Sequence, residues 1–118
     1  MSDARWFEIT ADIESAVVHF GRAVEIFAAG GFGDDSLDSY KARMALLHAM
    51  QSGHISLESA LLRVLNLLGE EEPSGRDWHA DLIRRAAVAG DARPAILPGE
   101  IAAAATETRR FRHVATRS

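Results

Sequence analysis

The sequence contains no cysteine. Disulfide frameworks, thiolate zinc sites and cysteine nucleophiles are therefore all excluded. No apolar run approaches the ~20 residues a membrane helix requires. The opening MSDARWFEIT also lacks the basic-then-apolar layout of a secretory signal. A cytoplasmic protein with no membrane partner is expected. Strand-like alternation is missing as well, so GGFGDD has no strand to follow and reads as a linker rather than a phosphate loop. No histidine pair stands four apart beside an acid, and His19 and His48 have no partner at metal-ligand spacing. No metal site and no cofactor are expected. Internal repeats and low-complexity linkers are absent too, which leaves residues 1–118 as one domain.

What is present is helical periodicity. Ile13, Val17, Phe20, Val24 and Phe27 recur every three or four residues and place one apolar stripe on a first helix. Gly30, Gly31 and Gly33 end it. A long second helix starts at Ser36 or Asp38, either of them a sound N-cap, and runs to Leu68, with Gly69 as its stop. Its seam is Leu46, Met50, Gly53, Leu57, Ala60, Val64 and Leu67, in steps of four and three. Gly53 costs ~1 kcal/mol of helix stability, which predicts a kink there or a close approach by another backbone. EEEPSGRD is a turn. A short third helix capped by Ser74 or Asp77 then turns Trp78, Leu82, Ile83 and Ala86 inward. Pro98 suits the first turn of a last helix that buries Ile101, Ala104, Ala105, Thr108 and Phe111. The expected fold is all-α, an up-and-down bundle of four to five helices.

Two polar features interrupt this pattern. Gln51, His54 and Glu58 continue the apolar line formed by Tyr40, Met44 and Leu47 before them and Leu61, Leu65 and Leu68 after them. Such residues mark a solvated helix face or, alternatively, the lining of a site or interface. In DWHADL, Trp78 reads as a core anchor with His79 as its half-exposed neighbour; a ligand or stacking role is the alternative.

Charge is the third signal. Residues 1–106 carry nine basic and sixteen acidic side chains, whereas residues 107–118 carry four arginines and one glutamate. A general nucleic-acid coat would be basic over a broad face; here any anion contact is local. On a helix, Arg109, Arg110 and Arg117 neighbour His113, while Arg112 points about 100° away. Crowded guanidiniums disfavour a protonated imidazole. A neutral histidine among arginines suits phosphodiester chemistry, with the imidazole taking a proton and the guanidiniums stabilising charge on phosphorus. Complementing a helix C-terminal dipole is the simpler role for the same arginines.

The segments GEEEPSGRDWHADLIRR, RPAILPGEI and RRFRHV, in this order over residues 55–118, resemble the HEPN superfamily, and within it the HepT-like ribonuclease toxins. The resemblance implies a small all-α homodimer acting as a metal-independent endoribonuclease. The helices carrying the motif of each subunit meet across the dimer in one composite site that leaves cyclic-phosphate ends on RNA. It also implies a nucleotidyltransferase-type antitoxin as partner. Arg112 takes the motif arginine position and His113 the polar position after it, with Arg109, Arg110 and Arg117 as further phosphate-binding groups. The motif histidine belongs at or just past position 117, where this sequence has Arg117 and Ser118; the tyrosine that such partners modify is not in the sequence either. A non-catalytic HEPN subunit that binds nucleotide or RNA for a nucleotidyltransferase is the alternative reading.

Overall fold

A computed structural model describes residues 4–90 and 93–117, with side chains through Arg110. Four helices follow one another: α1 (Ala4–Ala29), α2 (Leu37–Leu67), α3 (Trp78–Ala86) and α4 (Gly99–Arg117). Among the described residues there is no strand, only an isolated bridge between Gly90 and Arg93. The all-α bundle expected from periodicity is the observed fold, with four helices.

The local signals act where they were expected. Ser36 is the N-cap of α2, its hydroxyl accepting from the Ser39 amide at 3.0 Å. Asp34 braces the same corner by accepting from the Ser36 amide at 2.9 Å and from the Ser39 hydroxyl at 2.6 Å. At the other end Gly69 takes φ 75°, the left-handed conformation that ends helices. The Glu70 amide then reaches the Leu65 carbonyl at 2.9 Å and the Gly69 amide reaches that of Asn66, closing a Schellman turn. Asp77 stands at the start of α3 but makes no side-chain cap bond.

α2 is the spine of the molecule. Its first half packs Leu46, Ala49 and Met50 against Ala23 of α1. Its second half packs Leu61 and Leu65 against Leu82 and Ala86 of α3, and α3 turns Ile83 toward Ala102 and Ala105 of α4. α1 and α4 both lie on α2. The linker before α4 is tied back by the Ile96 and Leu97 amides, which both donate to the Ala86 carbonyl. Arg93 secures the same loop, donating to Glu70 and to the carbonyls of Val88 and Pro94.

The α1–α2 seam is built from small residues. Ile9, Ala16 and Ala23, seven apart, are buried on α1. Opposite them Gly53 makes room for the Phe20 ring, which would stand 2.9 Å from a Cβ there. α2 therefore runs through Gly53 as one helix, and close approach, not a break, is the glycine's role. Polar clasps flank the seam: Ser15 with Ser56 at 2.8 Å, and Ser59 and Arg63 both donating to Asp12.

Burial departs from the sequence reading on two helices. The α1 stripe is not core: Ile13, Val17, Val24 and Phe27 are exposed, because the seam chose the alanine face next to them. On α4, Ala102 and Ala105 are buried while Ile101 and Ala104 are exposed; Phe111 lies outside the described side chains.

Candidate functional site

The polar line on α2 does not face solvent as a whole. Gln51 is exposed, but His54 is 1% exposed and Glu58 7%. The solvated-face reading is corrected for these two residues. A buried polar group is costly unless hydrogen-bonded, and each of the two is bonded to a different helix.

His54 holds α4. Its Nε2 lies 2.7 Å from the Thr108 hydroxyl oxygen. The same hydroxyl lies 3.1 Å from the Ala105 carbonyl, which accepts from it. The Phe20 ring meets the imidazole edge-on, with centroids 5.3 Å apart. This pins α4 one turn before Arg112, since residues four apart share a helix face.

The basic turn itself is described in part. Arg110 is exposed and pairs with Glu107 at 3.0 Å. Arg109 is half-buried, and its Nε has no hydrogen-bond partner among the described residues. The two guanidiniums therefore stand in different surroundings. Arg112, His113 and Arg117 are on the helical backbone of α4, and their side chains lie outside the described residues. Beside Thr108 opens an apolar groove of about 470 Å³ between α1, α2 and α4, walled by Phe20, Val24, Phe27, Leu46 and Met50 with Glu107 at its edge. Sequence reasoning missed this groove, which joins residues more than eighty positions apart. The weak signal was the α1 stripe itself, wide enough to serve two surfaces.

Glu58 holds α3. His79 Nδ1 lies 2.6 Å from Glu58 Oε2, and the His79 ring lies over Trp78 with centroids 3.7 Å apart. His79 keeps 29% of its side chain exposed, as the half-exposed neighbour expected from DWHADL. The pair opens on a cleft of about 600 Å³ between α1, α2 and α3. Among the described residues no group of three His, Asp or Glu side chains is placed to hold a metal ion. No described helix is long and apolar enough to cross a membrane.

A four-helix bundle whose last helix is basic and is pinned through a buried histidine defines the class: small all-α proteins that carry a charged motif on a terminal helix. A family model described as HepT-like protein matches residues 45–118, more than half of the chain. The chain belongs to this HepT-like family of the HEPN superfamily. The matched region starts within α2 and takes in Glu58, His54, α3 and the whole of α4, leaving α1 outside it. No curated protein and no solved structure matches the chain.

Proposed function

We propose that the protein is a HepT-like toxin: a cytoplasmic, metal-independent endoribonuclease that acts as a homodimer and is silenced by a nucleotidyltransferase-type antitoxin. The observation that carries this reading is the anchoring of α4. A family member's basic helix is tethered by His54 at Thr108, one turn before Arg112, at the lip of an apolar groove among the described residues. Such a groove suits a second subunit docking beside the basic turn, which would build one site from two copies of α4. In that site Arg112 stabilises negative charge on the scissile phosphate, His113 accepts the 2′-hydroxyl proton, and Arg109, Arg110 and Arg117 hold flanking phosphates.

The test is RNA cleavage by purified protein in the presence of a metal chelator. Single-stranded RNA is expected to be cut to fragments with cyclic-phosphate ends, and Arg112→Ala should lower the rate at least ~100-fold, the usual scale for a lost charge-stabilising group. An active Arg112→Ala variant removes the site assignment.

One observation favours the second reading, a non-catalytic HEPN subunit that binds RNA or nucleotide: Arg117 and Ser118 occupy the first positions at which the motif histidine is expected, and neither side chain is a base at neutral pH. Binding without turnover supports it. The affinity should then fall steeply with added salt, because phosphate contacts release counterions.

A further inference from the structure

The α1–α2 seam has a polar edge that runs in register along both helices. Arg63 pairs with Glu8 and Asp12, Ser59 donates to Asp12 at 2.7 Å, and the Ser15 and Ser56 hydroxyls meet at 2.8 Å. Each step along α1 is matched by an equal step back along α2, as in any antiparallel pair. The same register sets Ser52 opposite His19, and His48 follows one turn further along α2. There the ladder changes character, because two imidazoles meet across it.

The His19 and His48 ring centroids are 6.3 Å apart and their planes stand at 89°. The one hydrogen-bond contact of either ring among the described residues joins His48 Nε2 and the Ser52 hydroxyl at 3.5 Å, the outer limit for such a bond. His48 is exposed and His19 half-buried, so the rings can turn without disturbing the core. Among the described residues no Asp or Glu completes a group of three with them. The protein donors are thus two nitrogens and no oxygen. Magnesium and calcium require oxygen ligands, whereas imidazole suits zinc, nickel and copper. Tetrahedral zinc holds imidazole nitrogens at ~2.0–2.1 Å, which sets two ring centroids roughly 5 Å apart, within reach of a small turn of the exposed ring.

We propose that His19 and His48 bind a late first-row divalent metal ion of the zinc, nickel and copper class, which clips α1 to α2 and keeps water in its remaining coordination positions. The two residues are 29 positions apart in the sequence, beyond any local ligand spacing. The site goes beyond the nuclease reading: it shares no residue with the α4 turn, and cleavage in a chelator does not draw on it.

Calorimetric titration of the full chain with zinc chloride, well above the ordinary histidine pKa of ~6.5 so that the imidazoles are neutral, tests it. One ion per chain is expected, and magnesium chloride should give no binding. His19→Ala and His48→Ala should each weaken zinc at least ~10-fold, the equivalent of about 1.4 kcal/mol, because the chelate is lost. His48 is exposed, so its variant keeps the test valid should His19→Ala fail to fold. In urea denaturation of the parent, each tenfold rise in free zinc above its dissociation constant should add about 1.4 kcal/mol, and His48→Ala should show no such rise. No zinc binding, equal binding of magnesium, or an unchanged zinc affinity in His48→Ala each overturns the proposal. Half an ion per chain overturns it too, since the ion would then join two copies rather than two helices. His113→Ala should bind zinc as the parent does, so this proposal and the nuclease assignment fail separately.

Discussion

Single side chains decide how the two distal helices sit on α2. His54 and Glu58 are one helical turn apart, and each bonds a residue of a different helix, Thr108 for the first and His79 for the second. The α1–α2 corner depends on side chains in the same way, and there the effect is electrostatic. The Ser36 and Ser39 bonds to Asp34 hold its carboxyl at a pKa of about 2, below the ordinary 3.8. A carboxyl whose folded pKa lies below its unfolded one contributes stability in full above the unfolded value, and that contribution is lost as pH falls toward the folded one. The protein should therefore lose stability between about pH 4 and pH 2, and Asp34→Asn should flatten this part of the profile. Urea denaturation at a series of pH values measures it; equal slopes in the two proteins would show that Asp34 carries none of the effect.

At the scale of helices, the contrast between two glycines separates propensity from packing. Gly21 sits on α1 with nothing within 4 Å of where a Cβ would be, whereas at Gly53 the Phe20 ring occupies that space. Gly21→Ala should raise stability by roughly 0.5–1 kcal/mol, the backbone-entropy gain of alanine over glycine in a helix. Gly53→Ala gains the same but overpacks the α1–α2 seam, a cost of typically ~1–3 kcal/mol. A net loss is expected, seen as a lower denaturation midpoint at constant slope. Much of this level was legible in advance. The helices announced themselves by period and Ser36 and Gly69 by their fit to caps; Gly53 stood out as either a kink or a close backbone approach, and it is the Phe20 ring that comes close. The face that α1 buries was not legible, because Ala16 and Ala23 carry little apolar signal of their own. They win the seam because short side chains let two long helices approach each other, and that advantage exists only when the partner helix is present.

At the scale of the whole molecule, the described residues present one broad apolar surface. Val17, Val24 and Phe27 are each 67–68% exposed along α1, and the groove beside Thr108 continues that surface toward α4. Contiguous apolar patches of this kind mark interaction surfaces. Under the homodimer proposal, sedimentation at micromolar concentration should give twice the chain mass of 12.8 kDa. Val17→Glu should shift the species to monomer with the helical circular dichroism unchanged, since Val17 makes no core contact to lose. A parent protein that sediments only as monomer would remove the composite site and leave the fold as it is.

The amino-acid sequence by itself determined the helices, their ends and the concentration of arginine on the last one. These features rest on contacts three or four residues apart, where the chain is its own partner. Tertiary structure alone decided that His54 and Glu58 go inside, that the α1 stripe stays outside, and that His79 and Trp78 wall a cleft. Each of those outcomes depends on a group far away along the chain, as with His54 and Thr108, fifty-four positions apart. Periodicity tells which residues share a face of a helix; only packing tells what that face meets.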